Sequence, residues 1–169
     1  MAELFFFPIC REKEALYGTP YARGVFFGVS LKSERKEFNR AVMEGCGYGL
    51  RQLCEIAEKV TGEKLEKFAS IGGGAKSDLW AQMKADITGK AIEILDMNDM
   101  APVGAALLAG VGAGIFKDPV EASEKVEKKL YKKVTSSDKY QDVYEKNYQI
   151  YIRLYQQVKE LYKINTNLK

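Results

Sequence analysis

The sequence predicts a helix-rich α/β domain, and three observations carry that prediction. Short apolar runs at Leu4-Phe5-Phe6-Phe7, Val25-Phe26-Phe27 and Lys90-Ala91-Ile92-Glu93-Ile94-Leu95 have the length and composition of strands. Other segments repeat apolar residues every three or four positions, which gathers them on one helix face. A glycine-rich junction, Ser70-Ile71-Gly72-Gly73-Gly74-Ala75-Lys76-Ser77-Asp78, joins a short strand to the helical pattern that begins near Leu79.

Taken in order, the first run ends at Pro8, because proline brings no N–H to a strand ladder. Arg11 through Tyr21 reads as a charged connection with a turn at Tyr17-Gly18-Thr19-Pro20. Arg23 then reads as a solvated or structural arginine, or as a phosphate partner, ahead of the second strand and its close at Gly28-Val29-Ser30. Ser33 is placed as the cap of a long helix carrying Phe38, Val42, Cys46, Gly49, Leu53, Ile56 and Val60, and Thr61-Gly62 ends it. Gly45, Gly47 and Gly49 weaken helix propensity, and close packing against another element is the expected compensation. Glu44 on this helix reads as a solvated or interface carboxylate.

Leu65, Phe68 and Ile71 lead into the glycine junction. Leu79, Trp80, Met83 and Ile87 continue as a helix that stops at Thr88-Gly89, with Trp80 as core or groove wall. Asp96-Met97-Asn98-Asp99 follows the third strand, and Pro102 stands near the start of a small-residue helix, Gly104 to Gly110. Gly104 is either a groove residue opposite the glycine turn or a packing position. Asp118-Pro119 opens a charged run read as helical through Lys133. After the break Thr135-Ser136-Ser137-Asp138, a last helix spaces Tyr140, Tyr144, Tyr148, Tyr151, Tyr155, Leu161 and Tyr162 for docking across the domain, with hydroxyls kept in water.

Composition excludes several classes of chemistry. The 169 residues suit one domain, and 26 basic against 23 acidic residues leave a charge of only +3, too little for a phosphate-tracking nucleic-acid surface. With no histidine, imidazole catalysis and histidine-ligated zinc are impossible. Cys10, Cys46 and Cys54 form neither a Cys-x-x-Cys pair nor a disulfide framework and suit a reducing cytoplasm. Leu4 to Ile9 and Ala101 to Phe116 are too short for confident spans and are read as buried parts of the domain. No secretory leader is expected. Asp96 and Asp99 are weak metal ligands without a phosphate-bearing partner.

The glycine junction has two readings. Adjacent glycines permit a tight turn and close approach of another group, and Ser77 or Asp78 can cap the next helix. It is either a structural turn with an ordinary cap or a turn that offers backbone donors to an anion or nucleotide. Its spacing matches neither Gly-x-x-x-x-Gly-Lys-Ser/Thr nor Gly-x-Gly-x-x-Gly.

Several patches together resemble the FGGY carbohydrate kinase family. These are Gly24-Val25-Phe26-Phe27-Gly28-Val29 with Glu37-Phe38 and Ala41-Val42-Met43-Glu44, then Gly72 to Trp80 with Gln82 and Ala85-Asp86, then Gly104 to Ala109 and the tyrosine-rich end. The chain is most similar to the xylulokinase branch. The resemblance implies a partial actin-like, ribonuclease-H-like ATPase domain over residues 1–169, the carboxy-terminal, ATP-side part of such a kinase. It implies ATP against Gly72, Gly73, Gly74 and Ala75, with Ser77 and Asp78 at the edge, and Mg2+ in the complete enzyme. It implies a cytoplasmic enzyme moving the ATP γ-phosphoryl group to a sugar hydroxyl, D-xylulose above other polyols.

The family's Asp-x-Gly-Thr hairpin and its carboxylate base, which belong to an amino-terminal sugar-binding domain, are expected to be absent. Cys10-Arg11-Glu12-Lys13-Glu14 also departs from the family's Gly-Glu-Arg-x-Pro pattern. No catalytic residue and no metal ligand is therefore assigned, and the isolated chain is expected to be inactive. The alternatives are a non-catalytic interaction protein and the ATP-side subunit of a split pentulose or polyol kinase. Its partners would be the missing domain or a second copy, with neither nucleic acid nor membrane.

Overall fold

The computed structural model describes residues 4–7, 23–96, 100–127 and 129–167. The expected turn at Tyr17 to Pro20, the end of the first strand at Pro8, Cys10 and Asp99 lie outside them. Two strands, β1 (Phe5–Phe7) and β2 (Val25–Phe27), pair antiparallel with Phe6 opposite Phe26. Helix α1 (Arg35–Thr61) follows; β3 (Lys67–Ser70) then leads through a 3-10 turn (Gly73–Lys76) into α2 (Asp78–Thr88). Next come β4 (Ala91–Leu95), α3 (Met100–Gly112), α4 (Pro119–Glu124), β5 (Leu130–Val134) and α5 (Gln141–Asn167).

The second sheet has the order β3-β4-β5, with β3 and β4 parallel and β5 antiparallel to β4. Its register sets two rows across the sheet. Phe68, Ile92 and Val134 form one, and Ser70, Ile94 and Lys132 the other. Side chains in neighbouring rows two residues apart share a face. That face meets α2: Phe68, Ile92, Ile94 and Val134 pack with Ala75, Ala81 and Ala85. Small alanines let α2 lie close on the strands.

The opposite face of α2 carries Met83 and Ile87 into a second cluster with Tyr48 of α1 and Tyr144, Tyr148, Tyr151, Leu154, Tyr155 and Tyr162 of α5. The domain is thus layered as sheet, α2, then α1 with α5. Gly47 explains how closely α1 approaches α2, since a Cβ there would stand 2.6 Å from Cδ1 of Ile87. The packing role expected of the α1 glycines therefore holds at this position. Polar ties lock α1 to α5: Arg51 donates to Glu145 at 2.6 Å, Tyr148 donates to Glu55 at 2.6 Å, and the Arg51 guanidinium lies 4.0 Å over the Tyr148 ring.

Four expectations need correction. The cap of α1 is Glu34 rather than Ser33, because Glu34 and Glu37 form a reciprocal capping box, with Glu34 N–H donating to Glu37 at 2.7 Å. The charged run to Lys133 is helical only through α4; Leu130–Val134 is a strand, because pairing with β4 outweighs the helix propensity of its lysines. The hydroxyls of the last helix are not all kept in water: Tyr148 and Tyr151 are 1% exposed, and the hydroxyl oxygens of Tyr151 and Tyr162 are buried. Residues 101–116 are not buried. Gly110 alone is buried in α3, while Leu108 and Ile115 are 62% and 72% exposed. No helix among the described residues is long and apolar enough to cross a membrane.

Lys84 is the buried cation of α2, 8% exposed, with the Ser70 hydroxyl at 3.1 Å and no carboxylate partner among the described residues. Burial holds its ammonium below the usual lysine range. The unfolded chain therefore binds more protons between that lowered value and 10.5, so stability rises with pH through this window. Lys84→Met is expected to raise stability by about 1 kcal/mol at neutral pH. It should also flatten that rise, which melting curves from neutral to alkaline pH would show.

Candidate functional site

The glycine junction lies where β3 ends. Ser70 closes the strand, and Gly72 then takes φ +80 and ψ −174, a conformation open essentially to glycine alone. Its carbonyl accepts from Ala75 N–H at 3.1 Å and winds the 3-10 turn. Ser77 has extended backbone and its Oγ accepts from Trp80 N–H at 3.3 Å, which makes it the cap of α2. Asp78 is the first residue of that helix, where a negative charge suits the exposed N–H groups.

The six expected site residues therefore sit on one continuous turn but point differently. Gly73 and Gly74 are exposed, and none of the described residues stands within 4 Å of a Cβ added to Gly73. A Cβ on Gly74 would come 3.7 Å from Nε1 of Trp80, so the indole is the wall beneath the turn. Ala75, 4% exposed, turns its methyl into the sheet–α2 core and leaves only its backbone for a ligand. Ser77 is exposed, and the side chain of Asp78 is 79% exposed. Lys76 is exposed as well.

Sequence reasoning missed Lys132. From β5 it donates through Nζ to Oδ1 of Asp78 at 2.7 Å. The two residues are 54 positions apart, so nothing local signals the pair; only the strand register brings them together. Gln82 and Asp86, part of the sequence resemblance, have a structural task. Asp86 accepts from Gln82 at 2.8 Å and from Ser137 N–H at 2.8 Å, bracing the segment after β5.

Other candidates lie elsewhere. Among the described residues nothing lies within 4 Å of a Cβ added to Gly104, and α3 packs chiefly on α4. Asp96 is exposed at the end of β4, and no three His, Cys, Asp or Glu side chains gather for a metal among the described residues. A cleft of about 670 Å3 opens between α1 and α2, lined by Lys32, Lys36, Arg40, Met43, Leu79 and Met83. Leu79 and Met83 stand about 200° around the helix from Ala81 and Ala85, so this cleft faces away from the sheet. Two of its three cations are engaged: Lys36 with Glu34 at 2.9 Å and Arg40 with Glu44 at 2.6 Å. The glycine turn, rather than this cleft, combines exposed backbone, a helix start and the end of parallel strands.

Residues 1–113 match the model of the FGGY family of carbohydrate kinases, C-terminal domain. The chain belongs to the FGGY carbohydrate kinase family. Xylulose kinase of Staphylococcus epidermidis is 34% identical over 158 residues, covering 94% of this chain and 32% of that protein. The solved xylulose kinase of Lactobacillus acidophilus superposes with a TM-score of 0.69 at 23% identity, over 95% of this chain and 32% of its own. Glycerol kinase of Plasmodium falciparum, solved with ADP, gives 0.63 at 22% identity, over 89% of this chain and 30% of its own. These likenesses show the fold, that of the actin-like, ribonuclease-H-like ATPases. This FGGY chain spans about a third of the length of the curated relatives it matches.

Proposed function

We propose that these 169 residues form the nucleotide side of a sugar kinase that moves the ATP γ-phosphoryl group to a sugar hydroxyl. One observation carries the reading. Gly72 to Ala75 stands at the carboxyl end of β3, beside the parallel β4, and opens into α2. Open α/β sheets bind ligands at that end of their strands. Exposed Gly73 and Gly74 leave room for a flat base over the backbone, and Ala75 offers main chain beside them. Ser77 stands at the lip. The Asp78 carboxylate accepts without donating, which suits an amino edge of the base.

Likeness to xylulose kinases favours D-xylulose as the acceptor in the complete enzyme, and the glycerol kinase solved with ADP supports a nucleotide at this fold. A cytoplasmic setting belongs to the same reading. Such a kinase is expected to use Mg2+, but the described residues do not fit a site for it, since no carboxylate cluster forms. No step is assigned to the ion here.

No residue of this chain is assigned as the base that takes the hydroxyl proton. The purified chain should therefore bind ADP or ATP without phosphorylating D-xylulose, and turnover by the chain alone would overturn the reading. Gly73→Val is expected to weaken ADP about tenfold, because the added branches occupy the approach to the backbone. Its melting temperature should barely change, since the space around Gly73 is open. Titration with a fluorescent ADP analogue checks both points.

The uncharged helix α3 favours a second reading. Leu108 of α3, Ile115 just beyond it and Val120 of α4 are all more than 60% exposed, and this apolar surface suits burial against another polypeptide. In that case the chain is the ATP-side subunit of a split kinase, or an interaction protein derived from one. Adding the amino-terminal two-thirds of a xylulose kinase would restore phosphorylation in the first case and not in the second.

A further inference from the structure

We propose that Lys132 is a positioning residue of the nucleotide site, holding the Asp78 carboxylate at the lip of the glycine turn. The inference rests on the nucleotide reading above and adds to it a residue outside the span 1–113 matched by the family model.

The sheet register puts Lys132 where it can act. Ser70, Ile94 and Lys132 are neighbours in one row, and adjacent strands are about 4.8 Å apart. Lys132 thus starts roughly 10 Å from the residue that begins the glycine junction. All three side chains of the row point to α2. Ser70 accepts from Lys84, Ile94 is buried against the alanines, and Lys132 reaches Asp78 at 2.7 Å. The row therefore runs from one end of the turn, under α2, to the other.

The pair is not built for stability. Its side chains are 42% and 79% exposed, and ion pairs in such settings add little to folding. Its effect is on charge and direction. A lone carboxylate beside the turn repels a polyanionic nucleotide and swings among rotamers. With Oδ1 occupied by Lys132, the group carries a neutralising cation and presents its remaining oxygen as an acceptor. An exocyclic amino group on the base is the donor that matches it.

Fluorescence titrations with ADP and with IDP, which lacks the amino group, test this on the whole chain. Wild type is expected to prefer ADP. Lys132→Met should weaken ADP about fivefold at low salt and reduce the preference over IDP, with the deficit shrinking at high salt. Lys132→Arg should stay within about twofold of wild type, because the guanidinium reaches the same carboxylate. In an Asp78→Asn background, Lys132→Met should change affinity less than about twofold, since the two residues act as a unit. Melting temperatures of all five proteins should agree closely, whereas a merely structural tie would move melting and leave base preference alone. Wild-type ADP affinity in Lys132→Met, or an undiminished loss in the Asp78→Asn background, overturns the role of Lys132 while the nucleotide reading stands. Absence of ADP binding by wild type overturns both.

Discussion

Tyr48→Ala is expected to cost about 4 kcal/mol of folding stability, the range found when a buried aromatic ring is truncated. Tyr48 is 2% exposed and packs its ring 5.4 Å from Tyr151, 6.1 Å from Tyr148 and 6.5 Å from Tyr144, centroid to centroid. It is the residue of α1 on which the tyrosines of α5 converge, so its loss opens a cavity that three rings on a helix cannot jointly refill. Domains of this size are stable by about 5–15 kcal/mol, and so the variant sits near the threshold of folding. Tyr48→Phe separates ring from hydroxyl. The buried Asn147 side chain is the polar group facing that hydroxyl, and burial together with the Glu44 charge keeps the phenol protonated. The phenylalanine variant should therefore fall within about 1 kcal/mol of wild type. Urea unfolding measures both. A loss under about 1 kcal/mol for Tyr48→Ala would mean that α1 and α5 do not share this core.

The second large effect is asymmetric. Glu44 is 3% exposed, and its carboxylate accepts from Arg40 Nε at 2.6 Å, while Arg40 Nη2 also donates to Tyr144 at 3.4 Å. The solvated option in the sequence reading of Glu44 does not hold, since the carboxylate is buried. Burial pushes the Glu44 carboxyl above the ordinary range, with Arg40 opposing the rise. Arg40→Met leaves the buried charge alone and should cost about 2–3 kcal/mol at neutral pH, the lower end for buried pairs because Arg40 itself is 39% exposed. Glu44→Gln leaves only the better-solvated guanidinium and should cost under about 1 kcal/mol.

The sign with pH follows from the raised value. The native state binds more protons than the unfolded chain between 4.5 and the raised folded value. Stability from this group is thus present below 4.5 and lost as pH rises through the folded value. In Arg40→Met the folded value rises further, so the deficit should be smaller in mild acid than at neutral pH. Melting curves at the two pH values check it, and an equal deficit at both would show that Glu44 is not the source.

What could be read from the sequence is what depends on neighbours along the chain. The three- and four-residue spacings placed α1, α2 and α5, and Gly62 and Gly89 mark the ends of α1 and α2 through left-handed backbone, φ +73 and +68. The glycine junction and its cap at Ser77 were equally local. Contributions from distant segments were not legible. β5 is a strand only because β4 offers an edge, and its lysines belong as readily on a helix. The exposure of α3 is invisible in its composition, which is that of a core helix. Of the candidate site, the turn could be read and the cross-sheet partner Lys132 could not, since a register has no sequence signature of its own.

The pairing of α1 with α5 has a consequence for how the chain is made. Tyr148 and Glu55 are 93 positions apart, and Arg40 and Tyr144 are 104 apart. Closing so long a loop carries an entropic cost that short-range contacts do not share, and chains rich in such contacts fold slowly. On the ribosome, Tyr48 and the part of the α2 face that α1 leaves uncovered must wait in water until the 27-residue α5 has emerged. Until then the glycine turn is carried on a half-covered helix, and a chain stopped short of α5 leaves it there.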